Sequence, residues 1–334
     1  MTGIVTVYSH EIDVVKATAI FGVVIIHVPP IGHFNPVASE VLSVLQGVFE
    51  WAVFGFFFAS GFLTKPESFI SRERFLGFLK RRAARLLVPC LLFSVIYKFS
   101  MWGLWKRGFV QSIDLPLPES TKGWVDFMIV PASPQFYFLP VLFAIQVCCF
   151  PLFGSFGACL RVGLALVLVG VGGTLWGVRE GFCSLHGPEW SIMPLYGASY
   201  LTGVVFKDFR LGRWELATLA LLFSSLTLLA WMKVEWLRLG HLLVAPILYG
   251  LFYEAGKYDL GARVLRYASR LGLRSGAVYV WHAPILISAC TVLVVGSFGG
   301  GVLSLLLVVS ATVILAALCG EATKRFSLLK PLRF

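Results

Sequence analysis

The sequence predicts an all-α integral membrane protein of about ten transmembrane helices with both termini cytoplasmic, and three observations predict it. Of 334 residues, 58% are hydrophobic and only 13% are charged, with a mean hydropathy of +0.84. Apolar runs close to the roughly 17 to 25 residues needed to span a bilayer recur along the chain. Basic residues gather in alternate loops between those runs. A soluble chain of this length would need far more polar surface than this composition supplies. Lipid must do the covering.

In chain order the runs fall around 14–31, 46–64, 86–105, 136–153, 162–178, 190–207, 214–232, 239–254, 276–296 and 301–320. The sixth holds Pro194 and several glycines, and the eighth is short and holds Pro246. The first follows Glu11 and Asp13 and has no small-residue exit, so it is expected to stay as a helix rather than be cleaved as a signal peptide. With ten helices, twenty Lys and Arg residues lie on the side of the termini and six on the other. The positive-inside bias then puts both termini in the cytoplasm. The largest external connection, about 106–135, is too short for a soluble domain. A single transmembrane domain over 1–334 is expected, with no appended soluble domain. No internal repeat is apparent, which speaks against transporters built from two related halves.

The net charge of +11 arises in short loops, where topology alone would place it, so no nucleic-acid partner is expected and membrane lipid is. Seven cysteines (Cys90, Cys148, Cys149, Cys159, Cys183, Cys290, Cys319) show no CxxC spacing and mostly lie in or beside apolar runs. They read as small buried hydrophobes, and no metal site is indicated.

The first run, "EIDVVKATAIFGVVIIHVPP", carries ionisable residues on one face. Lys16 and His27 are eleven positions apart, which at about 100° per residue returns to within about 20° of the same face with a rise of about 16 Å. Asp13 lies one turn before Lys16 on that stripe, while Phe21, Val23 and Ile26 point elsewhere. Lys16 can be an interfacial anchor whose stem snorkels, with Asp13 as its i, i+3 partner. His27 can be a ring at the outer interface, loosened by Pro29 and Pro30. Yet ionisable residues within spans are rare and usually face a cavity or pathway, and imidazole suits proton transfer near neutrality.

Five segments together resemble the acyltransferase family 3 membrane proteins: the Lys16-x10-His27 pair, "FFFASGFLTKP" at 56–66, "FLKRRAARLLVP" at 78–89, "FYFLPVLF" at 136–143 and "YVWHAPIL" at 279–286. These bacterial O-acyltransferases decorate surface glycans. The resemblance covers nearly the whole chain and implies ten helices in the bacterial inner membrane. It further implies that His27 matches the essential first-helix histidine, Lys16 its basic partner, and Arg82 and Arg85 the Arg-x-x-Arg pair after the second helix. Lys16 stands where many members have Arg, which removes bidentate geometry. Gln135 to Tyr137 stand where relatives often carry His and Trp. His282 has a recurrent place in the family.

Arg82 and Arg85, at i, i+3 near the start of the third helix, would suit the phosphates of a cytoplasmic acyl-coenzyme A, since forked guanidinium groups recognise phosphate well. They can equally set topology and touch anionic lipid. Ser60, Gly61 and Phe62 read as a close-packing site. His282, just before Pro284, can line the same cavity as His27 or satisfy a carbonyl freed by the proline. His33, His186 and His241 carry no separable signal.

The function expected is transfer of an acyl group, acetyl by the resemblance, from acyl-coenzyme A as co-substrate to a hydroxyl of a surface or lipid-linked glycan. His27 would be the general base, and no bound cofactor is expected. The alternatives are a multi-helix transporter or flippase for a glycan intermediate and an inactive scaffold of glycan assembly. A transporter would consume no acyl donor, and a scaffold would tolerate loss of His27.

Overall fold

The computed structural model describes residues 10–29, 33–65, 71–106, 134–148, 193–206 and 237–325. The expected spans at 162–178 and 214–232, most of the external connection, His186, Cys149, Cys159 and Cys183 lie outside these residues. The described residues form helices α1 (His10–Ile26), α2 (Pro36–Phe49), α3 (Trp51–Phe62) and α4 (Arg72–Lys106), followed by a 3-10 turn (Pro134–Tyr137) that runs into α5 (Phe138–Cys148). Then come α6 (Met193–Phe206), α7 (Leu237–Ala255), α8 (Asp259–Leu273), α9 (Ser275–Trp281), a π turn (His282–Leu286), α10 (Ile287–Phe298) and α11 (Val302–Arg325). No strand occurs among them. Among the described residues three stretches are long and apolar enough to cross a membrane: Pro36–Phe62, Arg72–Ser100 and Val302–Thr323, with Phe138–Cys148 and Ile287–Phe298 as shorter apolar helices.

α1 is the central post. It packs against α2, α3, α7, α8, α9 and α11, and Val15, Ala19, Ile20 and Val24 are wholly buried, whereas Phe21 faces outward. A helix apolar all round belongs inside a bundle. Small residues set its neighbours' approach: a Cβ added at Gly22 would lie 2.9 Å from the Cβ of Ala52 on α3.

The second run departs from its expected start at 46. The helix begins ten residues earlier, where the Asn35 side chain accepts the Ala38 amide at 2.8 Å and Pro36 occupies the first turn. That capping chemistry favours helix initiation, but apolar counting does not detect it. α4 likewise starts at Arg72, so Arg82 and Arg85 sit in its third and fourth turns rather than opening it.

α3 and α6 cross closely. A side chain at Gly61 would collide with the Tyr200 carbonyl, and one at Gly203 with the Phe58 carbonyl. Hydrophobic attraction between helices is weak where lipid is equally apolar, so close packing and hydrogen bonds must hold such a pair. Ser199 Oγ donates to the Phe54 carbonyl at 2.8 Å, and the Thr64 and Tyr200 hydroxyls bond at 2.8 Å. The packing role expected for the Ser60–Phe62 segment rests on Gly61.

The segment after α7, read from sequence as a basic loop, is instead the amphipathic helix α8. Leu265, Ser269 and Gly272 turn inward, and Gly272 lies against the Asp13 backbone of α1. Four arginines within 263–274 depress its average apolarity, and only helical spacing reveals its two faces.

Candidate functional site

Among the described residues, two helix interruptions each carry a histidine. α1 ends at Ile26, and His27 follows in a turn; its Nδ1 donates to the Val23 carbonyl at 2.7 Å. Three carbonyls around this helix end, those of Ile25, Ile26 and Val28, converge on the Gln46 amide nitrogen at 3.4, 3.4 and 3.1 Å. A helix end leaves carbonyls without donors, and in lipid they must be satisfied by protein. Gln46 on α2 supplies a donor and braces the His27 turn.

The second interruption lies at Ala283, whose φ of −130° and ψ of 153° break the helix between α9 and α10. Pro284 has no N–H, so the Val280 carbonyl loses its helical donor. Tyr97 of α4 replaces it, its hydroxyl donating at 2.8 Å. His282 is fully buried, and its Nδ1 lies 2.7 Å from the Tyr279 carbonyl and 3.2 Å from that of Val278.

The rings of His27 and His282 meet edge to face, centroids 5.2 Å apart at 72°. Of the two possibilities for His282, the carbonyl freed by Pro284 is taken by Tyr97 instead, while His282 bonds the Tyr279 and Val278 carbonyls and its ring meets that of His27. A carbonyl oxygen only accepts, so each Nδ1 carries a proton, and in the neutral form of either ring the lone pair is on Nε2. The His282 Nε2 is buried with no hydrogen-bond partner among the described residues. His27 is half-buried, so it is the more accessible base of the two.

Aromatic rings wall this site. Tyr279 lies 5.9 Å from His282, 5.4 Å from Phe138 and 6.3 Å from Phe56. Phe57 stacks on Tyr196 at 4.5 Å, and the Tyr137 and Tyr196 hydroxyls bond at 2.8 Å. The "FYF" and "FFF" segments thereby acquire a common place. Tyr137 contributes a paired phenol there.

Asp13 and Lys16 pair at 2.5 Å, with the Asp13 carboxylate almost wholly buried. Both lie toward the opposite end of α1 from His27, about 16 Å for Lys16 by helical rise. Arg82 is half-buried, with its guanidinium 5.3 Å over the Phe78 ring and the Tyr200 phenol within electrostatic reach. Arg85 is exposed. The i, i+3 spacing therefore does not give the two arginines equal surroundings.

Sequence reasoning missed Gln46, Tyr97 and His241. His241 is buried, 4.0 Å from the Glu50 carboxylate at the α2–α3 junction. Polar residues inside apolar helices were the available signal for all three. Cys90, Cys148, Cys290 and Cys319 are free; Cys148 is exposed, contrary to the buried role expected of it. Among the described residues no group of three or more metal-ligating side chains occurs.

Compared with known proteins, the family described as an acyltransferase domain matches residues 9–321. No curated protein and no solved structure matches the chain.

Proposed function

Because the chain belongs to the acyltransferase domain family, we propose that it is an inner-membrane O-acyltransferase that moves an acyl group, acetyl in the simplest case, from cytoplasmic acyl-coenzyme A to a hydroxyl of a surface polysaccharide or lipid-linked glycan. The observation that carries this reading is the His27–His282 pair, in which both Nδ1 atoms are tied to backbone and the accessible ring keeps a basic Nε2. His27 Nε2 takes the proton of the acceptor hydroxyl as its oxygen attacks the thioester carbonyl. The carbon–sulfur bond breaks, the proton passes from His27 to the departing thiolate, and the acyl ester and free thiol leave. Both termini face the cytoplasm in this reading.

The donor enters from the Lys16 side. Arg82 and Arg85 hold its phosphates, and the extended pantetheine arm spans the distance of about 16 Å to His27. Lys16, neutralised in part by Asp13, lines the entrance rather than gripping phosphate. His282 backs the reacting ring, and its unpartnered Nε2 accepts a hydrogen bond from the bound substrate.

The test is the alkali-labile ester content of surface glycans, read by NMR before and after mild base, in cells with the gene, without it and with only His27→Ala. Esters that appear only with the intact gene support the transfer and its base, and identify acyl group and acceptor together. Esters unchanged in all three strains would overturn it in favour of transport or another acceptor.

A further inference from the structure

α8 presents three distinct faces. Leu265, Ser269 and Gly272 are buried against the start of α1, where Ser269 Oγ lies 3.2 Å from His10 Nδ1. On the opposite side, Leu260, Val264 and Tyr267 fall within about 60° of one another at about 100° per residue. Leu260, Val264 and Tyr267 are 72%, 57% and 69% exposed. Arg263, Arg266 and Arg270 run along one flank of that apolar stripe, all exposed.

The charges on that flank lack acidic partners among the described residues. Lys257 pairs with Glu254 and Arg274 with Glu321. In contrast, Arg263 bonds only the Asp259 main-chain carbonyl, and Arg270 lies 5.1 Å over the Tyr267 ring. Two or more unneutralised arginines beside an exposed apolar stripe, on a helix too short and too charged to span, fit the boundary between acyl chains and headgroups.

We infer that α8 is an in-plane helix that seats on anionic lipid, its apolar stripe entering the acyl boundary and Arg263, Arg266 and Arg270 holding phosphate headgroups. The occupant is a leaflet surface rather than a soluble anion, because a soluble anion would leave the apolar stripe in water. Gly272 packs on Asp13, so the lipid contact also fixes the level at which α1, and with it His27, sits in the bilayer. This inference does not depend on the acyl-transfer reading.

The experiment uses the full-length protein in phosphatidylcholine bilayers carrying trace spin-labelled phosphatidylglycerol or spin-labelled phosphatidylcholine. The motionally restricted fraction of each label gives the preference for the anionic lipid. The expected preference is at least about fivefold, the factor that one arginine near an anionic surface supplies. It should fall to near one in the triple variant Arg263→Gln, Arg266→Gln, Arg270→Gln and persist in the corresponding triple lysine variant, which keeps charge and checks folding. No preference in the wild-type protein, or one unchanged in the glutamine variant, would overturn the inference. So would loss of the preference on adding inorganic phosphate at constant ionic strength, which would mark a discrete phosphate pocket instead. No substrate is present, so the result stands apart from any failure of acyl transfer.

Discussion

Tyr97→Phe removes a single oxygen, and the helix break beside His282 sets its cost. The hydroxyl is buried and is the donor at 2.8 Å to the Val280 carbonyl that Pro284 deprives of its helical partner. Leaving a buried carbonyl unsatisfied costs about 1–3 kcal/mol, whereas an ordinary exchange of partners costs about 1. Thermal unfolding of the purified protein in detergent should register a midpoint lowered by a few degrees. The decisive arm is Pro284→Ala, which restores a backbone N–H that can reach Val280. In that background Tyr97→Phe should cost about 1 kcal/mol less, a coupling within the range seen for residues sharing one hydrogen-bond network. An equal cost in both backgrounds would refute the reasoning, because the tyrosine would then stabilise by packing against Phe136, on which it stacks at 5.5 Å.

Gln46→Leu keeps the size of the side chain but strips the donor shared by the Ile25, Ile26 and Val28 carbonyls. It should cost about 1–3 kcal/mol and lower ester formation per folded molecule, since the His27 turn loses its brace. Gly61→Ala drives a methyl into the Tyr200 carbonyl, so α3 and α6 must separate; a loss of about 3 kcal/mol or more should appear as poor yield and a lowered unfolding midpoint. Arg82→Lys should raise the apparent KM for acyl donor about tenfold, or 1.4 kcal/mol, with kcat kept, while the exposed Arg85→Lys should shift it less. Equal effects would remove the distinction drawn from their burial. Glu321→Gln, which weakens the exposed pair with Arg274, should change stability by less than about 1 kcal/mol through that pair.

The family and the helical, lipid-covered class were legible because both are written in local terms. Composition declares that lipid must cover the chain, and the Lys16-x10-His27 spacing fixes two side chains on one face whatever surrounds the helix. Long apolar runs also located α3, the C-terminal part of α4, α7 and α11. Helix starts were less legible, since Asn35 and Pro36 begin α2 through capping rather than through apolarity. α8 was hidden because its arginines mask a periodic stripe whose inward face has meaning only against α1.

What the sequence by itself determined is that His27 closes an apolar, helix-forming run and that His282 precedes a proline. Only the tertiary structure decided that the two rings meet at 5.2 Å, that Tyr97 answers the carbonyl freed by Pro284 and that Gln46 closes the end of α1. These contacts join residues separated by 255, 183 and about 20 positions. No local periodicity encodes such separations; they follow from which helices lie side by side. The physical reason they form is the same in each case: lipid offers no hydrogen bonds, so every broken helix must find its partners in a neighbour.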